Sequence, residues 1–124
     1  MNTVKKGYNK EKRCRDELTK DGWFMAFKSV RWRFGTIDFA RLFDVVALKK
    51  NPKFSKHPDW LFISVKHLGN GNYYLSHQKE LKRFKTVYGL EGMNFQLWLW
   101  VNPRWRGRGK NKIWNSGRWV KITI

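Results

Sequence analysis

Acidic residues are scarce in this chain: nine Asp and Glu stand against 27 Lys and Arg. The formal charge of +18, with a pI near 10.5, works against a compact state through self-repulsion and calls for a counter-charged partner. Cysteine is nearly missing. The lone Cys14 excludes an internal disulfide and a cysteine-based zinc site, which fits a reducing, cytoplasmic setting. No spacing among His57, His67 and His77 makes up for it as a zinc site. Proline is rare and no Pro/Gly/Ser linker divides the chain, so residues 1–124 read as one domain. Long apolar runs are absent too. The longest, Leu97 to Val101, is far too short to cross a bilayer, and basic Met1 to Lys12 is not followed by the apolar stretch of a signal peptide.

What is present narrows the partner. Hydrophobic residues make up 41% of the chain, enough for a core and too many for a disordered basic tail. The positive residues are spread over helical, strand and loop segments instead of gathering on one amphipathic helix, which argues against a membrane surface. Nucleic acid fits better. Arginine alternates with aromatic residues in Arg31-Trp32-Arg33-Phe34 and in Arg104-Trp105-Arg106, a pattern in which the guanidinium can reach phosphate while the ring packs or stacks. Most of the eight tryptophans are expected in the core.

Periodicity predicts a first helix over 8–21, stopped at Asp21-Gly22, and strands over 23–28, 42–48 and 60–68. The Arg-rich segment Ser29 to Arg41 has no clean period. A tight connection at 69–72 leads to a short strand at 73–75. Ser76 offers an N-cap to a second helix through Tyr88, with Leu81, Phe84 and Tyr88 on one stripe and Gly89 and Gly92 beyond it. Met93 to Val101 is a strand and Pro103 to Lys112 a basic loop. Ile113 to Ile124 is a terminal hairpin turning at Asn115-Ser116-Gly117. The expected class is α/β: a central mixed sheet flanked by helices, with a C-terminal β-hairpin.

Because acids are few, each can be weighed. Asp44 stands in the apolar run Leu42 to Leu48, where an unpaired carboxylate is costly. A metal ion, a neighbouring cation or an open strand end would each account for it. Glu11, Cys14 and Leu18 fall on one helix face at i, i+3 and i+7, so this acid rides on the apolar stripe while Glu17 projects elsewhere. It is either a group aimed at the sheet or a surface acid at the stripe's margin. On the third strand Phe62, Ser64 and Lys66 share one face. Asp38 reads as a solvated or Arg-paired acid.

Taken in order, these features form a pattern. Lys6-Gly7 and then Glu11 in the first helix, Gly22-Trp23 leading into a strand, Asp44-Val-Val-Ala-Leu, Ile63-Ser64-Val65-Lys66, and Leu75-Ser76-His77-Gln78 opening the second helix succeed one another along residues 5–100. The pattern resembles the archaeal-type Holliday-junction resolvases, homodimeric members of the PD-(D/E)XK nuclease superfamily. The resemblance implies a restriction-endonuclease-like sheet and a Mg²⁺- or Mn²⁺-dependent endonuclease that cuts branched double-stranded DNA in recombination and repair. It also implies that Glu11 and Asp44 bind the metal, that Lys66 acts on the attacking water, that Gln78 is the active-site helix Gln commonly found after the motif, and that a loop Ser29 lies near the scissile strand.

One position departs from that pattern. Ser64 stands where the Glu of Glu-X-Lys belongs, and a hydroxyl is a poor ligand for Mg²⁺. The Val65 backbone carbonyl could complete the site, a carboxylate from Glu80 or Asp38 could migrate in, or the chain could bind DNA without cutting it. A repair- or restriction-type nuclease on the same fold stays open as well. Contacts to DNA are expected from Arg31, Arg33 and Arg41 in the first basic segment, and from Arg104, Arg106, Arg108 and Lys110 in the second.

Overall fold

A computed structural model describes residues 3–28, 30–32, 35–37, 39–40, 42–50, 58–68 and 74–124. Helix α1 (Thr3–Lys20) precedes strands β1 (Phe24–Lys28), β2 (Val30–Trp32), β3 (Gly35–Ile37), β4 (Val45–Lys49) and β5 (Asp59–His67). Helix α2 (Leu75–Val87) follows, then β6 (Asn94–Val101), β7 (Arg104–Arg106), β8 (Ile113–Asn115) and β9 (Arg118–Thr123). The main sheet has the order β1-β4-β5-β6-β9, with β5 and β6 parallel and every other neighbour antiparallel. The class is therefore α/β with a central mixed sheet.

The parallel step is made by α2, since a chain that re-enters a sheet in the same direction needs a crossover. Strands β4, β5 and β6 are buried on both faces, which explains their nearly unbroken apolar runs. Two cores result. On the α1 face, Cys14 and Leu18 pack with Val45, Ala47, Leu61, Ile63, Val65 and Trp98. On the α2 face, Leu81 packs with Phe43, Val46, Phe62, Phe95, Leu97 and Leu99. Phe43 and Phe95 meet edge to face there, at 4.8 Å between centroids.

The end of α1 is where its sequence places it. Trp23 donates its N–H to the Leu18 carbonyl and Gly22 donates to Thr19, a Schellman closure with Gly22 at φ 89°. Leu18 belongs to the α1-face core, and Trp23 packs against that core.

Three expectations fail. Ser76 does not cap α2: the cap is Tyr74, in the left-handed region at φ 53° with no side-chain cap bond, so 74–75 opens a helix and is no strand. The Tyr74 hydroxyl is instead drawn back to the His67 carbonyl at 2.7 Å, tying the helix start to the end of β5. The C-terminal hairpin is also shifted. Segment 113–115 pairs with 104–106, while β9 returns to β6 through Gln96↔Thr123 to Val101↔Arg118. Trp119 packs against Trp98 and Trp100, and burying these rings outweighs a local turn at 115–117. Finally, the tryptophans are less internal than expected. Trp98 and Trp100 are buried and Trp23 and Trp119 partly so, but Trp60, Trp105 and Trp114 are exposed.

Candidate functional site

Asp44 lies one residue ahead of β4, at the point where the β4–β5 ladder ends with Val45 opposite Ile63. Strand β5 runs on to His67, so its last residues lack a β4 backbone to pair with. Asp44 fills part of that gap. Its N–H donates to the Ile63 carbonyl at 3.0 Å, and its Oδ2 accepts the Val65 N–H at 2.6 Å. A short, charge-assisted bond of this kind compensates a carboxylate that is only 6% exposed. The Val65 N–H and C=O point to the same side of the strand, so its carbonyl lies on the Asp44 side.

Glu11 is equally buried at 6%, on the α1 stripe with Cys14 and Leu18. The stripe faces this end of the sheet. Burial raises the pKa of the Cys14 thiol, and the Glu17 and Asp44 charges raise it further, so the Asp44 charge is felt one turn along from Glu11. Glu17 itself turns outward to Lys121 on β9, at 3.1 Å.

On the other face of β5, Ser64 is fully buried and Lys66 half-buried. The Ser64 Oγ is 2.8 Å from Nε2 of His77, and His77 Nδ1 is 3.5 Å from the Glu80 carboxylate. A carboxylate on the Nδ1 side favours the proton there, so Nε2 accepts from the Ser64 hydroxyl. The His77 pKa is lowered, first by burial and next by the Lys66 charge, with Glu80 pulling weakly the other way. Glu80 is thus engaged with a histidine one helical turn back. Gln78, half-buried in the first turn of α2, donates its backbone N–H to Tyr74.

The structure brings Asp44, Ser64, Val65 and Lys66 together at the end of β5 and adds His77, which the sequence marks only by its place on the Leu81 stripe. Among the described residues, no three of His, Cys, Asp and Glu gather as a metal-holding group. Two buried carboxylates and a backbone carbonyl are still hard oxygen donors of the type Mg²⁺ and Mn²⁺ take. Ser29, Arg33, Asp38 and Arg41 lie outside the described residues, as do His57, the connection at 69–72 and the side chains of Arg31 and Arg106.

Arg104, Arg108 and Lys110 are exposed on a two-stranded ribbon, β7–β8, that stands apart from the main sheet. At its base is a cleft of about 320 Å³ lined by Val101, Asn102, Arg104, Asn115, Ser116 and Arg118. A second cleft, lined by Asn9, Lys10, Arg13, Trp100 and Asn102, shares Asn102 with it. Polar and cationic groups therefore run from α1, beside Glu11, to the ribbon. The Arg13 guanidinium lies 4.1 Å over the Trp100 ring, which holds it along this track. Sequence reasoning missed one signal: from Gly92 to Ile124 there is no Asp or Glu, against seven Lys and Arg.

Comparison with protein families, curated proteins and solved structures gives no match. No helix among the described residues is long and apolar enough to cross a membrane.

Proposed function

We propose that the chain is a structure-selective DNA endonuclease that cuts four-way junctions with Mg²⁺ or Mn²⁺, working as a homodimer inside the cell. The observation that carries this reading is the buried Asp44 carboxylate held on the Val65 N–H at the end of β5, with buried Glu11 on the α1 side of that strand and Lys66 on its α2 side. Two of only nine carboxylates are buried here, and both are hard oxygen donors of the kind such a cation takes. Glu11, Asp44 and the Val65 carbonyl would hold the metal, which lowers the pKa of bound water and neutralises phosphate charge. Lys66 places its ammonium against the scissile phosphate and stabilises charge that grows in the transition state. Ser64 and His77 hold β5 and α2 in register behind Lys66. The cationic track through Arg13, Asn102 and Arg104 would carry the DNA backbone, giving affinity that falls steeply with salt. Two-fold symmetry would set two such sites on opposing strands.

The test is labelled four-way junctions incubated with Mg²⁺ or Mn²⁺. Paired symmetric nicks that vanish in Lys66→Ala, with binding kept, are expected. Cleavage unchanged in both Lys66→Ala and Asp44→Ala would exclude the reading. Competition between junction and linear duplex separates junction cutting from a repair- or restriction-type duplex nuclease.

A second reading is favoured by one observation: where the resemblance calls for a metal-binding Glu, Ser64 is fully buried and bonded to His77. In that reading the chain is a DNA-binding protein that does not cut. It predicts binding without metal and no nicks on any substrate.

A further inference from the structure

Trp105 and Trp114 face each other across the β7–β8 ribbon, with ring centroids 5.2 Å apart and planes at 57°. Both are exposed, Trp105 by 61% and Trp114 by 50%, and Ile113 beside them by 67%. The Trp pairs of the main sheet end in the core. This one stands clear of it. Two large rings left in water are costly to leave uncovered, which marks a surface that meets something. The chain that carries them is cationic or neutral: no acid occurs from Gly92 to Ile124, and Arg104 and Arg118 line the cleft at the ribbon's base together with Asn102, Asn115 and Ser116. A protein partner or a second copy of this chain would have to bring its own negative charge to this face, and a chain at +18 does not supply it. Nucleobases with their phosphates match both properties at once: π faces for the rings, anions for the guanidinium groups.

The geometry points to a binding site for unpaired bases: the Trp105–Trp114 pair as a stacking platform, and the Arg104–Arg118 cleft as the seat for phosphates of the same strand. The inference rests on the DNA-binding half of the function proposed above and not on its chemistry. It names the part of the substrate that the ribbon reads. A fully paired duplex keeps its base faces stacked and offers the rings nothing, whereas a junction centre, gap or bulge exposes them.

The experiment uses the full chain in EDTA, so that no cutting enters the readout. Its probes are a fluorescent duplex, the same duplex with a central run of unpaired thymines, and a thymine oligonucleotide. The intact protein is expected to prefer the two probes with unpaired bases. Trp105→Ala and Trp114→Ala should each weaken binding to those probes by about 5- to 100-fold while duplex binding hardly moves. Arg118→Gln should weaken all three probes alike and lower the salt dependence. Trp105→Phe and Trp105→Leu give the comparison if the alanine variants fail to fold: Phe, which has a ring face, should bind as the intact protein does, and Leu should not. In the Trp variants, equal losses on paired and unpaired probes would overturn the proposal, and so would unchanged discrimination. A shift from dimer to monomer in sedimentation, with discrimination intact, would assign the pair to self-association instead. Failure here leaves the junction-cutting test untouched, and a protein that never cuts can still pass.

Discussion

The Ser64 hydroxyl on β5 donates to Nε2 of His77 on α2, 2.8 Å away, and joins the strand that carries Lys66 to the helix that crosses over it. In the neutral imidazole the proton sits on Nδ1, beside the Glu80 carboxylate, which leaves Nε2 as the acceptor. Burial and the nearby Lys66 charge both lower the His77 pKa below its ordinary 6.5, against a weaker pull from Glu80.

The expected pH dependence follows from that shift. In the unfolded chain His77 takes a proton as pH falls through about 6.5, while the folded chain resists it until lower pH. Stability is therefore full above the unfolded pKa and is lost as pH falls toward the folded one. His77→Gln removes this titration. Thermal midpoints measured between about pH 7.5 and about pH 5.5 should fall less in the variant than in the wild type. Identical slopes would show that His77 is not a buried neutral base.

Asp44 offers a separation of charge from hydrogen bonding. Asp44→Asn keeps an oxygen for the Val65 N–H but removes the charge, so the fold should hold while cleavage drops roughly 100-fold. Asp44→Ala also strands a buried N–H, at a cost of about 1–3 kcal/mol. Thermal melts and nicking assays on both variants check this. Equal melting points for the two would dismiss the bond as a support.

Gly117 sits under Trp100, and a Cβ at that position would collide with the indole ring. The ring cannot swing aside easily, because Arg13 lies over it and Trp119 packs edge-on at 5.1 Å. Gly117→Ala should cost about 1–3 kcal/mol through overpacking. A melt as stable as the wild type's would mean that the ring has room to move.

Cys14 is fully buried, and burial with the Glu17 and Asp44 charges raises its thiol pKa. Iodoacetamide should leave it unmodified in the native protein at about pH 8 and label it once guanidinium unfolds the chain. Native-state labelling would reveal opening of the α1–sheet contact.

Local signals located much of the fold. Gly22 ends α1 because its backbone conformation is one that other residues enter at a cost, and the doubly buried strands betray themselves as apolar runs. The stripe of Glu11, Cys14 and Leu18 is buried as its spacing predicts. Where the reading failed, a distant contact outweighed a local preference. Ser76 has the chemistry of a cap, yet the Tyr74 hydroxyl reaches the His67 carbonyl and sets the helix start earlier. Asn115-Ser116-Gly117 has the chemistry of a turn, yet Trp119 is drawn to Trp98 and Trp100 and sends β9 back to β6.

The sequence by itself determined the positive charge and the few acids worth weighing, because these depend on composition and on spacing within one element. Only the tertiary structure decided that Asp44 rests on Val65, that Ser64 meets His77, and that Trp105 and Trp114 pair in the open. Each of these joins residues from separate elements, and no local periodicity encodes which strand edge or ring will find which partner. That choice is made by packing, where burying a ring or satisfying a backbone N–H outweighs the preferences of any single segment.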